Sequence, residues 1–446
     1  MRNIKRFFWI YLCILTGLWL LADWMVWSAP ANFFAWRSVL MQYSGVLGIG
    51  VMSAAMVLAV RPVVFEPYLG GLDKMYRLHK WLGIGALVLG IVHWLWAKGT
   101  KWAVGWGWLQ RPARGGGTPP EYSGLEAMLR GWRHTAEGMG EWAFYAAVLL
   151  IALALIKRFP YRLFAKTHKL LAVAYLVLAF HTVVLLKFAY WAQPIGWVTA
   201  LLTAAGTVSA LWVLLGRVGA ARQAGATIEA LQPYPALEVL ETTLRVDEDW
   251  RGHQPGQFAF VTSSRAEGAH PYTIASAWDP QQRHITFITK ALGDHTAALP
   301  HKLSVGQRVT VEGPYGCFTF GGPQPHQIWI GAGVGITPFI GRMKQLAREG
   351  TAAREIDLFH SNRVEDPVAL EKLRADALAA GVRLHVLVDG RDGRLSGERL
   401  RTTVPNWREA SVWFCGPPRF GQALRADLLA QGLPAAAFHQ ELFEMR

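Results

Sequence analysis

The sequence predicts a multi-domain membrane protein: an all-α bundle of six transmembrane helices, then an antiparallel β-barrel, then an α/β domain with a parallel sheet. Hydrophobic residues make up 52% of the 446 residues, and the mean hydropathy is +0.20. Long apolar segments stop at Gly216, and short β-rich segments separated by turn residues follow. From Gln327 onward, strand-like and helix-like segments alternate, which indicates a parallel sheet covered by helices.

Six segments are long and apolar enough to cross a bilayer, for which about 20 helical residues are needed. They cover residues 7–27, 38–60, 75–97, 138–156, 165–187 and 194–216. The first could instead be a signal peptide, because Lys5 and Arg6 precede it, although its apolar stretch is long for one. Twelve Lys and Arg residues lie on the side of the termini and eight on the other. We therefore expect an integral protein, of a bacterial inner membrane, with both termini cytoplasmic.

Charge and cysteine content exclude two other classes of protein. The net charge of +14 could suggest nucleic-acid binding, but much of it lies beside the apolar segments, where the positive-inside rule explains it. We expect no nucleic-acid partner. The 21 tryptophans are typical of membrane–water interfaces. The three cysteines, Cys13, Cys317 and Cys415, have no metal-binding spacing and indicate no disulfide framework.

Two of the apolar segments each carry a pair of histidines. His79 and His93 are 14 residues apart, and His168 and His181 are 13 apart. At about 1.5 Å per residue, each pair is separated by roughly 20 Å along its helix. Pairing between the helices then gives one two-imidazole site near each face of the bilayer, and axial histidines hold haem iron in this way. Thirteen residues leave an offset of roughly 140° around a helix, so the two sites must differ in azimuth or the helix must bend.

A glycine-rich turn, GAGVGITP, follows the strand predicted at 327–330. Gly331, Gly333 and Gly335 let the backbone approach a pyrophosphate, whose charge the start of the next helix stabilises. Thr337 can cap that helix, and Pro338 suits its first turn. We expect a dinucleotide to bind here.

Three further segments have polar or aromatic residues in places where a ligand could bind. HPYTIAS (270–276) lies between barrel strands and sets an aromatic ring beside a hydroxyl. GDHT (293–296) precedes a short helix whose amides could hold a phosphate. Cys415 and Gly416 close a strand, where α/β folds place ligands.

These motifs together resemble the ferric reductase/NADPH oxidase superfamily, in which a six-helix haem-binding domain precedes a dehydrogenase domain of the ferredoxin–NADP reductase type. The resemblance covers nearly the whole chain, and the motifs occur in family order. It implies a bis-haem domain over 1–218, an FAD-binding β-barrel over 224–322 and an NAD(P)H-binding α/β domain over 323–446.

The resemblance also implies ligands for particular residues. His79 with His168 would bind an inner b-type haem, and His93 with His181 an outer one. FAD and NAD(P)H would contact His270, Pro271, Tyr272, Thr273, Ser276, Gly293, Thr296, Gly331, Gly333, Gly335, Thr337, Pro338, Cys415, Gly416 and Phe443. Thr273, Cys415 and Phe443 would lie at the reacting rings, although Phe443 is here followed by three more residues.

The implied function is a transmembrane oxidoreductase. Electrons would pass from cytoplasmic NAD(P)H through FAD and the two haems to an acceptor on the far side. Ferric or cupric chelates are favoured over dioxygen, because Ala97 stands where oxygen-reducing animal members have a further histidine. Arg363 follows the second strand of the α/β domain and favours NADPH, since an arginine there can accommodate a 2′-phosphate; a solvated surface arginine is the alternative.

Two other functions remain open at this point. The chain could be a soluble-type reductase anchored by its helices, with four structural histidines and no haem. It could also be a membrane subunit that supplies electrons to a partner enzyme.

Overall fold

The computed structural model describes residues 2–25, 32–110, 121–156, 158–264, 267–350 and 354–441. They form two compact units, one of residues 1–69 with 74–218 and one of residues 70–73 with 219–445. The three domain limits expected from the sequence remain a prediction.

Six long apolar helices form the first unit and are each long enough to cross a membrane. They are α1 (Arg2–Met25), α2 (Phe33–Ala59), α3 (Leu72–Gly105), α4 (Arg133–Leu155), α5 (Tyr161–Leu185) and α6 (Pro194–Leu214). Short helices, Glu66–Leu69 and Gly124–Gly131, lie between them. Asn32 caps α2 by accepting a hydrogen bond from the Ala35 amide at 3.0 Å, and Pro194 begins α6. The predicted six-helix bundle is confirmed, with α3 longer than expected.

Tyr175 on α5 joins three helices in the interior of the bundle. Its side chain is fully buried, and its hydroxyl lies 2.8 Å from Ser53 Oγ on α2 and donates to the Thr203 carbonyl on α6 at 3.2 Å. A Cβ atom at Gly206 would overlap the tyrosine ring. Close packing on a small residue and a hydrogen bond are what hold helices together in lipid, where hydrophobic burial contributes little.

The second unit begins with a six-stranded antiparallel sheet. Its strands are β1 (Gln223–Tyr234), β2 (Val239–Val246), β3 (Phe258–Thr262), β4 (His270–Thr273), β5 (His284–Lys290) and β6 (Arg308–Tyr315), in the order β4-β3-β6-β1-β2-β5. The two ends of the sheet meet at the bridge Ile274–Phe287, and beside it the Ala275 amide donates to the Thr286 carbonyl at 2.8 Å. The predicted antiparallel sheet is confirmed.

Three strands of this sheet differ from what the sequence predicts. The sequence predicts a strand over 236–246, but β2 begins at Val239, because Pro235–Leu237 forms a 3₁₀ turn. The segment HPYT, expected between strands, forms β4. β1 was not predicted at all: it lacks a clear apolar alternation, and its pairing with β2 and β6 supplies the stability that its own residues do not indicate.

A five-stranded parallel sheet completes the second unit. Its strands are β7 (His326–Ala332), β8 (Glu355–Asn362), β9 (Arg383–Val388), β10 (Ser411–Cys415) and β11 (Phe438–Gln440), in the order β11-β10-β7-β8-β9. One helix, α7 (Asp294–Lys302), lies earlier in the chain, between β5 and β6 of the antiparallel sheet. The helices that follow β7 are α8 (Thr337–Glu349), α9 (Pro367–Ala379) and α10 (Pro418–Ala430), with short helices at Asp389–Asp392 and Gly397–Thr403. The predicted α/β domain is confirmed. Its strand order reverses between β7 and β10, where such sheets bind ligands.

A buried carboxylate links three parallel strands near their amino-terminal ends. Asp357 on β8 accepts hydrogen bonds from His326 Nε2 at 2.8 Å, His385 Nε2 at 2.7 Å and Arg383 Nε at 3.0 Å. Burial alone would raise the pKa of Asp357, but these partners hold that pKa well below its usual range. The carboxylate therefore stabilises the sheet in its charged form.

We predict that Asp357→Asn destabilises the second unit at neutral pH and less so in acid. Loss of even one charged hydrogen bond costs about 1.5–3 kcal/mol. Because the folded-state pKa is depressed, this stabilisation is present above the unfolded pKa of about 3.9 and is lost as the pH falls through the folded-state value. The difference in the free energy of unfolding between wild type and Asp357→Asn is measured by urea unfolding of the full chain at a series of pH values.

The control is Glu248→Gln, which breaks an exposed ion pair with Arg283 and should change the free energy of unfolding little. An Asp357→Asn penalty that did not shrink in acid would contradict the electrostatic explanation.

Candidate functional site

The four membrane histidines form two facing pairs. The ring centres of His79 on α3 and His168 on α5 are 5.8 Å apart, with the ring planes at 67°. Those of His93 and His181 are 6.3 Å apart, with the planes at 81°. The structure therefore brings together the residues that the spacing pairs, and the 13-residue interval on α5 does not prevent the second pair from meeting.

Both separations suit two imidazoles that bind one metal ion from opposite sides. Metal–imidazole bonds of about 2.0–2.1 Å, with about 1.1 Å from each nitrogen to its ring centre, put such ring centres about 6.3 Å apart. The observed 5.8 and 6.3 Å are close to this value. The residues present fit an axially ligated haem iron at each pair.

Backbone carbonyls orient three of these rings. His79 Nδ1 lies 2.9 Å from the Ala55 carbonyl and His93 Nδ1 lies 3.1 Å from that of Met41, both on α2. His181 Nδ1 lies 2.8 Å from the Ala136 carbonyl on α4. A carbonyl only accepts, so each Nδ1 carries the proton and each Nε2 keeps the lone pair that ligates a metal.

Among the described residues, His168 Nδ1 has no hydrogen-bond partner. The ring of Phe164, one turn earlier on α5, stacks on this imidazole at 5.0 Å. His168 is therefore held by aromatic packing, whereas the other three rings are held by carbonyls.

Glycines make room for the outer imidazoles. A Cβ atom at Gly140 on α4 would overlap the His181 ring, and one at Gly45 on α2 would lie 3.3 Å from the His93 ring. Sequence reasoning missed both glycines and the carbonyl partners, because nothing in an apolar helix marks which backbone groups face a histidine.

The segment HPYT forms β4, at one end of the antiparallel sheet. Tyr272 is half-buried and Thr273 is buried, and burial raises the pKa of the Tyr272 phenol. Pro271 pairs with Phe260 on β3. Burial, and then the charge of His295, lower the pKa of His270 to about 4, so this imidazole is neutral at pH 7.

The residues expected around the flavin phosphates lie at the start of α7. Gly293 caps the helix, and Thr296 Oγ1 accepts from the Leu292 and Gly293 amides at 2.9 and 3.2 Å. His295 lies between them and stacks on His270, with ring centres 3.8 Å apart and planes at 10°. Sequence reasoning missed His295 as a neighbour of His270, because the two belong to different elements.

Ser276 has a structural contact of its own. It is buried, and its hydroxyl accepts from the Thr286 amide on β5 at 3.1 Å.

Helix α8 packs closely on the segment that follows β4, because a Cβ atom at Gly341 on α8 would lie 3.1 Å from the Ile274 carbonyl. The predicted flavin segment and the dinucleotide helix are thus neighbours within the second unit.

The glycine-rich loop lies at the carboxyl end of β7. Gly333 has a left-handed backbone, with φ of +57°, and α8 begins at Thr337 and Pro338. A Cβ atom at Gly335 would overlap the Cys415 carbonyl at the end of β10. The two segments expected to bind the dinucleotide therefore touch at the point where the strand order reverses.

Cys415 is fully buried, and Gly416 follows it. Burial raises the pKa of the Cys415 thiol, and the charge of Glu441 raises it further, so the thiol stays protonated at neutral pH. Glu441 is itself buried, and its amide donates to the Phe414 carbonyl at 3.4 Å. The sequence marks Glu441 only as part of a terminal segment. Phe443 lies outside the described residues.

A cavity of about 100 Å³, open to solvent, lies between the antiparallel sheet and helices α8 and α9. Its lining includes Gly333, Val334, His360, Asn362 and Glu365. Arg363 is exposed and is not part of this lining.

Comparisons with known families match three successive segments. Residues 44–179 match the ferric reductase-like transmembrane component, residues 225–319 an FAD-binding domain, and residues 329–426 an oxidoreductase NAD-binding domain. Together these matches show a membrane domain followed in the chain by FAD- and NAD-binding domains. The protein is therefore an integral membrane oxidoreductase.

Two relatives each match less than half of the chain. The 2-halobenzoate 1,2-dioxygenase electron transfer component of Burkholderia cepacia is 25% identical over 46% of this chain and 63% of its own length. An NADPH oxidoreductase of Mycobacterium tuberculosis is 30% identical over 37% of this chain and 46% of its own. The chain thus spans about half to three fifths of these relatives.

A cytochrome P450 reductase structure from Amycolatopsis is 24% identical, with a TM-score of 0.43, over 50% of this chain and 70% of its own.

The three family matches follow one another along the chain in the same order as the helical bundle, the antiparallel sheet and the parallel sheet. They show that the protein belongs to the ferric reductase-like superfamily with domains of the ferredoxin–NADP reductase type.

Proposed function

We propose that the protein passes electrons from cytoplasmic NAD(P)H through FAD and two b-type haems to an acceptor on the far side of the membrane. The observation that carries the proposal is the pair of imidazole sites, with ring centres 5.8 and 6.3 Å apart. The domain limits 1–218, 224–322 and 323–446 belong to the same proposal. So do the placement of both termini in the cytoplasm and the location in a bacterial inner membrane.

Bound FAD supplies the conversion of a two-electron hydride into single electrons, and two haems supply a relay across the bilayer. The chain's own residues fix where each group is held. His79 with His168, and His93 with His181, would hold one iron each. Carbonyl contacts from α2 and α4 orient three of these rings, and the fourth, His168, is stacked on Phe164.

On the nucleotide side, the glycine-rich loop would hold the pyrophosphate at the start of α8, and Cys415 would border the nicotinamide. A protonated thiol is not a nucleophile, so Cys415 contributes a neutral surface. The buried charge of Glu441 beside it supports hydride transfer, because a nicotinamide that loses a hydride becomes positively charged. Tyr272 and Thr273 would contact the flavin ring from β4.

We propose ferric or cupric chelates as the acceptor, ahead of dioxygen. Ala97 lies about one helical turn after His93, and its side chain can neither donate a proton nor form a hydrogen bond. Its carbonyl and that of Trp96 accept from Arg37 at 3.3 and 2.9 Å. Arg37 thus holds a positive charge at the end of the bundle that carries the outer pair, which would attract an anionic chelate.

We predict that Gly140→Ala removes the outer haem and leaves the inner one. The added methyl group would overlap the His181 ring and turn it away from His93. Haem content of the purified variant should fall from two to about one per chain, and transmembrane reduction should be lost while flavin reduction by NAD(P)H survives.

Gly138→Ala is the matched control, since nothing lies within 4 Å of a Cβ atom there; it should keep both haems. Equal haem loss in both variants, or none in either, would refute the placement of the outer site.

The acceptor is identified by measuring how much superoxide forms for each NAD(P)H consumed in air, using protein loaded with haem and FAD. A ratio near zero, with fast anaerobic reduction of ferric chelates, is expected. A ratio near two, abolished by superoxide dismutase, would instead identify an oxidase.

The same preparation separates two further alternatives. A purified protein without a Soret band would favour the anchored reductase without haem. The Burkholderia relative is an electron transfer component, and slow turnover with every small acceptor, together with a stable complex, would favour an electron-supplying subunit.

Arg363 carries the proposed preference for NADPH. Its amide donates to Asn362 Oδ1 at 3.0 Å, so the backbone of this turn is fixed while the guanidinium is exposed. Arg363→Ala should lower kcat/KM for NADPH by about 10–100-fold, the worth of one or two charged hydrogen bonds, and leave that for NADH unchanged. Arg374→Ala, an exposed arginine on α9, should change neither. An unaltered cofactor ratio in Arg363→Ala would remove the basis for NADPH.

A further inference from the structure

Three potential metal ligands meet beside the start of α7. Glu267 lies in the turn between β3 and β4, His270 opens β4, and His295 is the second residue of α7. One donor atom from each lies within 4.8 Å of the other two. Within the described residues, this is the only group of three or more His, Cys, Asp or Glu residues so arranged.

The hydrogen bonds around His295 direct one of its nitrogens toward the carboxylate. Its Nε2 lies 3.2 Å from the Tyr272 hydroxyl, and its Nδ1 lies 3.6 Å from Glu267 Oε2. The His270 ring is stacked on it at 3.8 Å. Glu267 is 11% exposed, and its other oxygen contacts Lys302 Nζ at 3.2 Å. Lys302 is half-exposed, so its ammonium can move into solvent when a second cation binds.

The donor set selects the class of ion. Two imidazole nitrogens and one carboxylate are the ligands of many zinc sites, whereas Ca²⁺ and Mg²⁺ require oxygen ligands throughout. Donors that share one tetrahedral ion, at bonds of about 2.0–2.1 Å, lie about 3.4 Å apart. The donors now lie within 4.8 Å of one another, and the His270 and His295 rings are stacked with their planes at 10°. Binding of one ion therefore requires rotation of at least one of these rings, together with Glu267, so that the donor atoms converge.

We propose that Glu267, His270 and His295 bind one divalent transition-metal ion, of which Zn²⁺ is the commonest candidate. The ion ties the β3–β4 turn to α7. If the proposed flavin site is correct, the ion and FAD also share His270, so a bound metal weakens FAD binding. This second statement rests on the proposed function, whereas metal binding does not.

Full-length protein loaded with haem but free of flavin is titrated with Co²⁺, whose visible absorption reports ligation by nitrogen and oxygen, and Zn²⁺ then displaces it. Wild type should bind one ion per chain. Glu267→Gln and His295→Phe should each weaken binding by at least about 10–100-fold, the cost of losing even an outer-shell partner. His295→Phe keeps the aromatic stack on His270. Wild-type binding no tighter than that of the variants would overturn the proposal.

His284→Phe is the matched control. His284 pairs with Glu229 at 2.7 Å, as His295 does with Glu267, but among the residues that the structure describes no third donor joins them. This variant should therefore bind Co²⁺ like wild type. Equal loss in this control would mean that the ion binds elsewhere. Urea unfolding of each variant shows whether the second unit, which contains all three substitutions, has folded.

FAD titrations of the same proteins, with and without Zn²⁺, test the competition. Zn²⁺ should raise the Kd for FAD at least tenfold in wild type and not in Glu267→Gln. An unchanged Kd in the presence of bound metal would overturn the competition alone. If FAD failed to bind without metal, the flavin site would be wrong while the Co²⁺ titration still decided the metal site.

Discussion

The hydrogen bonds from imidazole Nδ1 atoms to backbone carbonyls are the constraint on which the membrane domain depends. A carbonyl at Ala55, Met41 or Ala136 fixes both the direction of a ring and the nitrogen that keeps its lone pair. These carbonyls belong to α2 and α4, which supply no ligands themselves. The packing of α2 and α4 against α3 and α5 must therefore be accurate to a fraction of a helical turn. Gly45 and Gly140 leave the space that the His93 and His181 rings occupy.

A comparable constraint acts where β7 and β10 end. Gly335 is so close to the Cys415 carbonyl that any side chain would separate the two loops. The same closeness leaves the thiol buried next to the charge of Glu441, which keeps it protonated. Short contacts between backbones thus set the chemistry of the side chains, in the nucleotide domain as in the bundle.

The sequence predicts what depends on pattern. Hydropathy marks the six helices, alternation of strand and helix marks the parallel sheet, and nearly equal spacing, 14 and 13 residues, marks the histidine pairs. It does not predict what depends on partners distant in the chain. β1 (Gln223–Tyr234) gains its strand from β2 and β6, the carbonyl of Ala136 is no different in sequence from its neighbours, and His295 meets His270 only once the sheet has folded.

The choice of acceptor must be made by residues other than the four histidines, because every proposed acceptor would draw electrons from the same outer pair. At that end of the bundle the structure supplies a cation: Arg37 is held by the carbonyls of Trp96 and Ala97, and the Ala97 side chain is inert. A fixed positive charge favours an anion that arrives already bound to its metal. It gives no comparable advantage to neutral dioxygen, and this difference is the physical ground for placing a chelate first.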